Sequence, residues 1–144
     1  SSDFIIGYPE ENEEDFKDTL NLIKRINFIN SYSFIFSPRP GTVAADLKLI
    51  NKKILIERLE KVQNLLFENQ IKMNKYLEKN IINVLVENLT EDKMRDNGRS
   101  EYMTSVIFNG NKRDIGKVVQ VKIEKSNRST LFGEKISSSN QKVA

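Results

Sequence analysis

Residues 52–78 contain neither glycine nor proline. They carry Leu55, Leu59, Val62, Leu66, Met73 and Tyr76 along one stripe at spacings of 4, 3, 4, 7 and 3. That spacing predicts a single helix about 40 Å long, more than the diameter of a small domain. Immediately afterwards the period of the apolar residues drops from helical to two, with Ile82, Val84 and Val86 alternating with other residues. A chain of 144 residues with such a switch is built in two pieces, one before the long helix and one after it. The helix itself reads as packed along its parent domain. The other reading is a helical scaffold that dimerises through residues 52–78, but Asn69 interrupts the stripe where a coiled coil needs sustained heptads.

The first piece has strand, helix and strand in succession. Phe4-Ile5-Ile6 is a short apolar run closed by Gly7-Tyr8-Pro9. Asn12 is a good N-cap, and Glu13, Glu14 and Asp15 load the first turn with the charge that a helix N-terminus favours. Phe16, Leu20, Ile23 and Ile26 follow at helical spacing and predict a helix over residues 12–27. The dipole accounts for the acidic run, so it is not read as a metal or acid–base site. Tyr32-Ser33-Phe34-Ile35-Phe36 reads as a second buried strand, ended by Ser37-Pro38-Arg39-Pro40-Gly41-Thr42. A strand, a helix and a strand joined in this way should place the strands parallel. Parallel sheets are covered on both faces. Two such strands alone have no neighbours to bury them, so residues 1–48 read as a slice of a larger α/β domain that folds poorly by itself.

The second piece reads as short strands. Residues 102–108, 118–123 and 130–136 are added to the one that begins at Ile81, with Val119, Val121 and Ile123 on one face. Asn97-Gly98 and Asn109-Gly110 read as turns, and Gly116 and Gly133 as breaks. These features predict a small antiparallel all-β barrel. The organisation is therefore 1–73, 74–137 and a polar tail over 138–144.

Chemistry is restricted by what is missing. The chain has no cysteine and no histidine, which removes thiolate nucleophiles, cysteine-held clusters, and the commonest general base and metal ligand. No metal site is expected, and catalysis by this chain alone is not. No apolar run approaches the length of a membrane span and the N-terminus has no secretory pattern, so no membrane partner and a cytoplasmic location are expected. The lack of an initiator Met fits a chain cut from something longer. Charge is unevenly spread. Residues 1–73 hold 10 Lys+Arg and 11 Asp+Glu, whereas residues 74–144 hold 13 and 9. The second piece is the candidate polyanion binder. Arg99, Lys112, Arg113, Lys117, Lys122, Lys125 and Arg128 supply the charge, and Tyr102, Phe108 and Phe132 the aromatic rings. Phe108 is assigned to the core, whereas Tyr102, with its hydroxyl, suits a partly exposed place.

Two stretches carry a resemblance. Ser2-Asp3-Phe4-Ile5-Ile6-Gly7-Tyr8-Pro9-Glu10-Glu11-Asn12 and Ser37-Pro38-Arg39-Pro40-Gly41-Thr42 with Ala44-Ala45 resemble the late strands of the radical S-adenosylmethionine barrel in the tRNA methylthiotransferases. Gly98-Arg99-Ser100, Gly116-Lys117, and Asn127 through Leu131 to Gly133-Glu134 resemble the TRAM domain that ends those enzymes. The resemblance implies a fold class of α/β fragment, the last βα units of the radical SAM barrel, then a long helix and an OB-like TRAM barrel. It implies the C-terminal portion of an enzyme that methylthiolates an isopentenylated adenosine next to the anticodon. Such an enzyme holds two 4Fe-4S clusters and S-adenosyl-L-methionine. The cluster cysteines lie upstream of the region that matches, so this chain alone holds no cluster and should be inactive alone. Its implied partners are the tRNA anticodon arm and the N-terminal part of the same enzyme.

From the resemblance, Asp3 and Arg39 are candidate cofactor-binding residues. Arg39, held between two prolines, could grip a carboxylate or a phosphate. Arg99, Tyr102, Lys117, Lys122 and Arg128 are the candidate RNA-binding residues. Glu10 stands where the family usually has Gly, at a position suited to an unusual φ. The competing reading is a stand-alone RNA-binding module with no catalytic activity.

Overall fold

The computed structural model describes residues 1–91, 93–110 and 112–136, with the side chain of Lys112 excepted. The polar tail expected over 138–144 lies outside the described residues. Contacts divide the chain into a unit Ser1–Gln70 and a second unit beginning at Ile71.

In the first unit, β1 (Asp3–Ile6) pairs in parallel with β2 (Tyr32–Ile35), Asp3 opposite Tyr32 and Ile6 opposite Ile35. Between them runs α1 (Glu13–Ile26). Its start is fixed by a reciprocal capping box. The Asn12 side chain accepts from the Glu14 and Asp15 N–H groups, and the Asp15 carboxylate accepts from the Asn12 N–H. Its end is fixed by Asn27 in the left-handed conformation. The expectation that β1 and β2 lack cover is corrected for one face. Phe4 and Ile6 are buried with Phe16 and Ile23 of α1 and with Val62 and Leu66 of α2 (Lys52–Leu77). The other face is open, with Ile5, Tyr32 and Phe34 exposed, as expected of two parallel strands without further neighbours.

The stripe on α2 is used up inside the chain. Leu55, Val62 and Leu66 are buried in the first unit, and Asn69 fills its gap by donating to the Ile23 carbonyl. Met73 and Leu77 pack on the core of the second unit. Tyr76, assigned to the stripe from its spacing, is instead 74% exposed. The helix phase drifts over this length, and Leu77 takes the inward place.

The second unit is a closed barrel in the order β3-β4-β5-β7-β6, with β3 (Ile81–Leu89), β4 (Asp96–Ser100), β5 (Ser105–Asn109), β6 (Val118–Ser126) and β7 (Thr130–Lys135). β3 pairs with both β4 and β6, which closes the ring. Register shifts at Val86/Asn88 and Ile123/Lys125 mark irregularities where strands bend. The core holds Ile82, Val84, Val86, Val106, Phe108, Val121, Ile123 and Leu131 with Leu77 beneath them. The placement of Phe108 in the core is borne out.

Three expectations about the barrel are corrected. It is not wholly antiparallel, since β5 and β7 run parallel, Ser105 opposite Thr130. Asn97-Gly98 is not a turn but the middle of β4, and Gly133 lies within β7. Tyr102 does not start a strand; it sits in the turn between β4 and β5, where Met103 takes a positive φ.

Candidate nucleic-acid interface

Register fixes which residues share an end of the barrel. β5 and β7 start together, because Ser105 faces Thr130. β4 ends beside the start of β3, because Ser100 faces Val84. The β4–β5 turn at residues 101–104 and the β6–β7 connection at residues 127–129 therefore lie at the same end. Tyr102 and Arg128 belong to that end. Lys117 belongs to the other, where its carbonyl accepts from the Val86 N–H next to the start of β6.

Arg99 points outward from β4, half-buried, in a row with Leu85 on β3 and Ser105 on β5. Its guanidinium lies 3.5 Å from Glu87 and 3.4 Å from the Met103 carbonyl. The turn that carries Tyr102 is thus tied back to the strand that carries Arg99. Lys122 is exposed on β6, opposite Ile81 on one side and Glu134 on the other. The structure brings Arg99 and Tyr102 together, places Arg128 at the same end, leaves Lys122 on another flank and separates Lys117 from all of these.

The aromatic contribution is small. Phe108 is in the core, and Lys125 stands over the Phe132 ring at 5.4 Å. Tyr102 is 37% exposed and reaches solvent from the β4–β5 turn. The surface offers charge and hydrogen bonds more than stacking platforms.

The sequence reading did not assign a role to the residues that shape the 127–129 connection. The Asn127 side chain accepts from the Ser129 and Thr130 N–H groups, at 2.9 and 2.7 Å. The Asn74 amide on α2 donates to the Asn127 and Arg128 carbonyls, at 2.9 and 3.0 Å. Glu78 accepts from the Ser126 N–H and hydroxyl. Lys75, 2.9 Å away, and then Ser126 hold the Glu78 carboxyl below its ordinary value. An Asn two residues before Ser129 and three before Thr130 is a legible turn signal; the contribution of α2 is not local and leaves no such trace.

In the first unit the two candidate cofactor residues are not brought together. Asp3, exposed, opens β1 beside Tyr32. Arg39, also exposed, follows β2 and leaves from the opposite end of the sheet. Four residues of strand span about 10 Å between those ends. The Arg39 backbone is set by a turn in which its carbonyl accepts from the Thr42 N–H and hydroxyl, with Pro40 and then Gly41 at φ 80°. That sequence of Pro and positive-φ Gly is the pattern of a type II turn. Glu10 has φ 73°, which agrees with its standing at a position suited to Gly. Arg58, unremarked in the sequence, is buried under α1, 2.6 Å from Glu11, 3.2 Å from Glu13 and 5.0 Å from the Phe16 ring.

The strand order with its parallel β5–β7 pair is that of an OB-type barrel, and residues 77–136 match the TRAM domain family. These residues form a TRAM domain. The whole chain is 62% identical over 144 residues to a Pelagibacter ubique protein named tRNA-2-methylthio-N(6)-dimethylallyladenosine synthase, covering 32% of that relative's length. Proteins of the same name from Ruthia magnifica and Buchnera aphidicola are 42% and 40% identical, over 139 and 141 residues, each with 94% of this chain and 31% of the relative covered. The chain spans about a third of the length of the curated relatives it matches. The resemblance to the tRNA methylthiotransferases, read from the Arg39 loop and from Gly98-Arg99-Ser100, is borne out by these relatives.

The iron–sulfur clusters implied by that family do not fit this chain. It has no cysteine, and among the described residues no group of three or more Asp or Glu is placed to hold a metal ion. Among the described residues, no helix is long and apolar enough to cross a membrane.

Proposed function

We propose that the TRAM barrel binds tRNA for a methylthiotransferase, and that this chain is the C-terminal portion of such an enzyme. In this reading the complete protein methylthiolates an isopentenylated adenosine next to the anticodon, and residues 1–48 complete its catalytic barrel. The cluster-bearing part lies in the rest of the enzyme. The observation that carries the reading is the grouping of Arg99, Tyr102 and Arg128 toward one end of an OB-type barrel in a chain whose relatives are named for tRNA modification. In this strand order the β3–β4 and β6–β7 connections and the β4–β5 face are the parts that OB-type barrels use on oligonucleotides. Arg99 lies on that face and Arg128 in one of those connections.

Lys122 and Lys117 serve as outlying phosphate contacts, which add affinity without reading sequence. Arg39 holds a carboxylate of the cofactor or a phosphate of the RNA from its turn. Asp3, at the other end of the sheet, would meet a ligand only across a separate contact. A tRNA substrate places the enzyme in the cytoplasm.

Ultraviolet cross-linking of the chain to tRNA, followed by mapping of the modified peptides, tests the reading. Cross-links are expected in residues 99–102 and 127–130. Cross-links confined to residues 1–70 would overturn the assignment of RNA binding to the barrel.

A further inference from the structure

We propose that Asn74 is a positioning residue for RNA binding. It clamps the β6–β7 connection from α2 so that Arg128 is presented in one arrangement to a phosphate. The proposal rests on the reading of the barrel as an RNA-binding module.

Asn74 is 1% exposed and lies in the last turns of α2. An asparagine is a poor helix former, and a buried amide costs stability unless it is paired. Here it is paired outside the helix, donating to two successive carbonyls, those of Asn127 and Arg128. The connection also closes itself. The Asn127 N–H donates to the Thr130 carbonyl, and the Asn127 side chain accepts from the Ser129 and Thr130 N–H groups. Glu78 fixes the preceding residue through the Ser126 N–H and hydroxyl. A three-residue connection between antiparallel strands does not need a helix to close it. The Asn74 clamp therefore adds rigidity beyond closure, at the residue whose side chain is cationic and exposed.

Rigidity at such a place has a functional consequence. A loop ordered on folding pays no ordering cost when a ligand arrives. The strand order assigns this connection to a position that OB-type barrels use for oligonucleotides. Asn74 touches no RNA in this account; it acts through Arg128.

The test uses the full chain and an in vitro transcribed tRNA, with affinity measured by fluorescence anisotropy across a potassium chloride series. Arg128→Ala should weaken binding about five- to tenfold and lower the salt slope by about 1. Asn74→Leu, uncharged and without donors, should lower affinity in the same direction and lower the salt slope likewise. The double variant Asn74→Leu/Arg128→Ala should bind no more weakly than Arg128→Ala alone. Asn127→Ala, at an exposed position, loosens the same connection without touching the buried amide and should reproduce the effect; it decides the matter if Asn74→Leu does not fold. Additive losses, or wild-type affinity and slope in a folded Asn74→Leu or Asn127→Ala, would overturn the proposal. So would wild-type binding by Arg128→Ala, which leaves the RNA reading standing. A wild-type chain that binds no tRNA at low salt removes both.

Discussion

Glu87 and Arg99 sit as diagonal neighbours on the outer face of β3 and β4, carboxylate to guanidinium at 3.5 Å. Both side chains keep part of their surface in solvent, so the pair adds little to stability, about 0–1 kcal/mol. Its larger effect is on ligands. The acid occupies the guanidinium that the RNA reading needs and lowers the local potential. Glu87→Gln should tighten tRNA binding about three- to tenfold at low salt, with an unfolding midpoint close to wild type. Weaker binding by this variant would show that Arg99 is not used on RNA.

Two glycines let the barrel close. A Cβ on Gly98 would lie 2.4 Å from the Leu85 carbonyl oxygen, and one on Gly133 would lie 2.2 Å from that of Lys122. The obstacles are backbone, so a neighbouring strand must move. Gly98→Ala and Gly133→Ala should each cost about 1–3 kcal/mol, the range of overpacked cores. Urea unfolding measures this, and Gly41→Ala at a site with open space is no control because Gly41 has φ 80°.

Glu10 works against its own backbone. It takes φ 73°, where a side chain costs about 1–2 kcal/mol and glycine does not. Glycine also loses more conformational freedom on folding. The net expectation for Glu10→Gly is a gain of about 0.5–1 kcal/mol, read as a raised thermal midpoint of the first unit.

The Glu78 contact to Ser126 depends on charge. Lys75 and then Ser126 hold the folded carboxyl below its ordinary value of 4.5. A carboxyl depressed in the folded state stabilises fully above its unfolded value, and the contribution is lost as pH falls through the folded one. The 126–129 amides should therefore keep their hydrogen-exchange protection from neutral pH to about 5 and lose it at more acidic pH sooner in wild type than in Glu78→Gln.

Much of this architecture is legible in local sequence. Asn12 with Asp15 announces the start of α1, and Ile82, Val84 and Val86 announce β3, because capping and alternation are local. β4 is not legible in the same way. Its inward positions are Asp96, Gly98 and Ser100, all buried yet none of them apolar. Close approach of Leu85 leaves no room for a side chain at Gly98, so the alternation that marks a strand is absent there. The parallel pairing of β5 with β7 is a long-range choice that no local signal carries. The candidate site follows the same division. Charge density picks out Arg99, Lys117, Lys122 and Arg128, but register decides which of them share an end of the barrel. The clamp from Asn74 spans 53 residues to Asn127 and is visible only in three dimensions.

The TRAM barrel is proposed to grip tRNA through its cationic end. Affinity of the full chain for tRNA, measured as a function of potassium chloride concentration, tests it most directly. The account predicts binding at low salt whose logarithm falls linearly with the logarithm of salt concentration, with a slope of at least about −1.5 for two or more phosphate contacts and a shallower slope in Arg99→Ala and Arg128→Ala. Absence of binding at low salt, or binding indifferent to salt and to both substitutions, would contradict it.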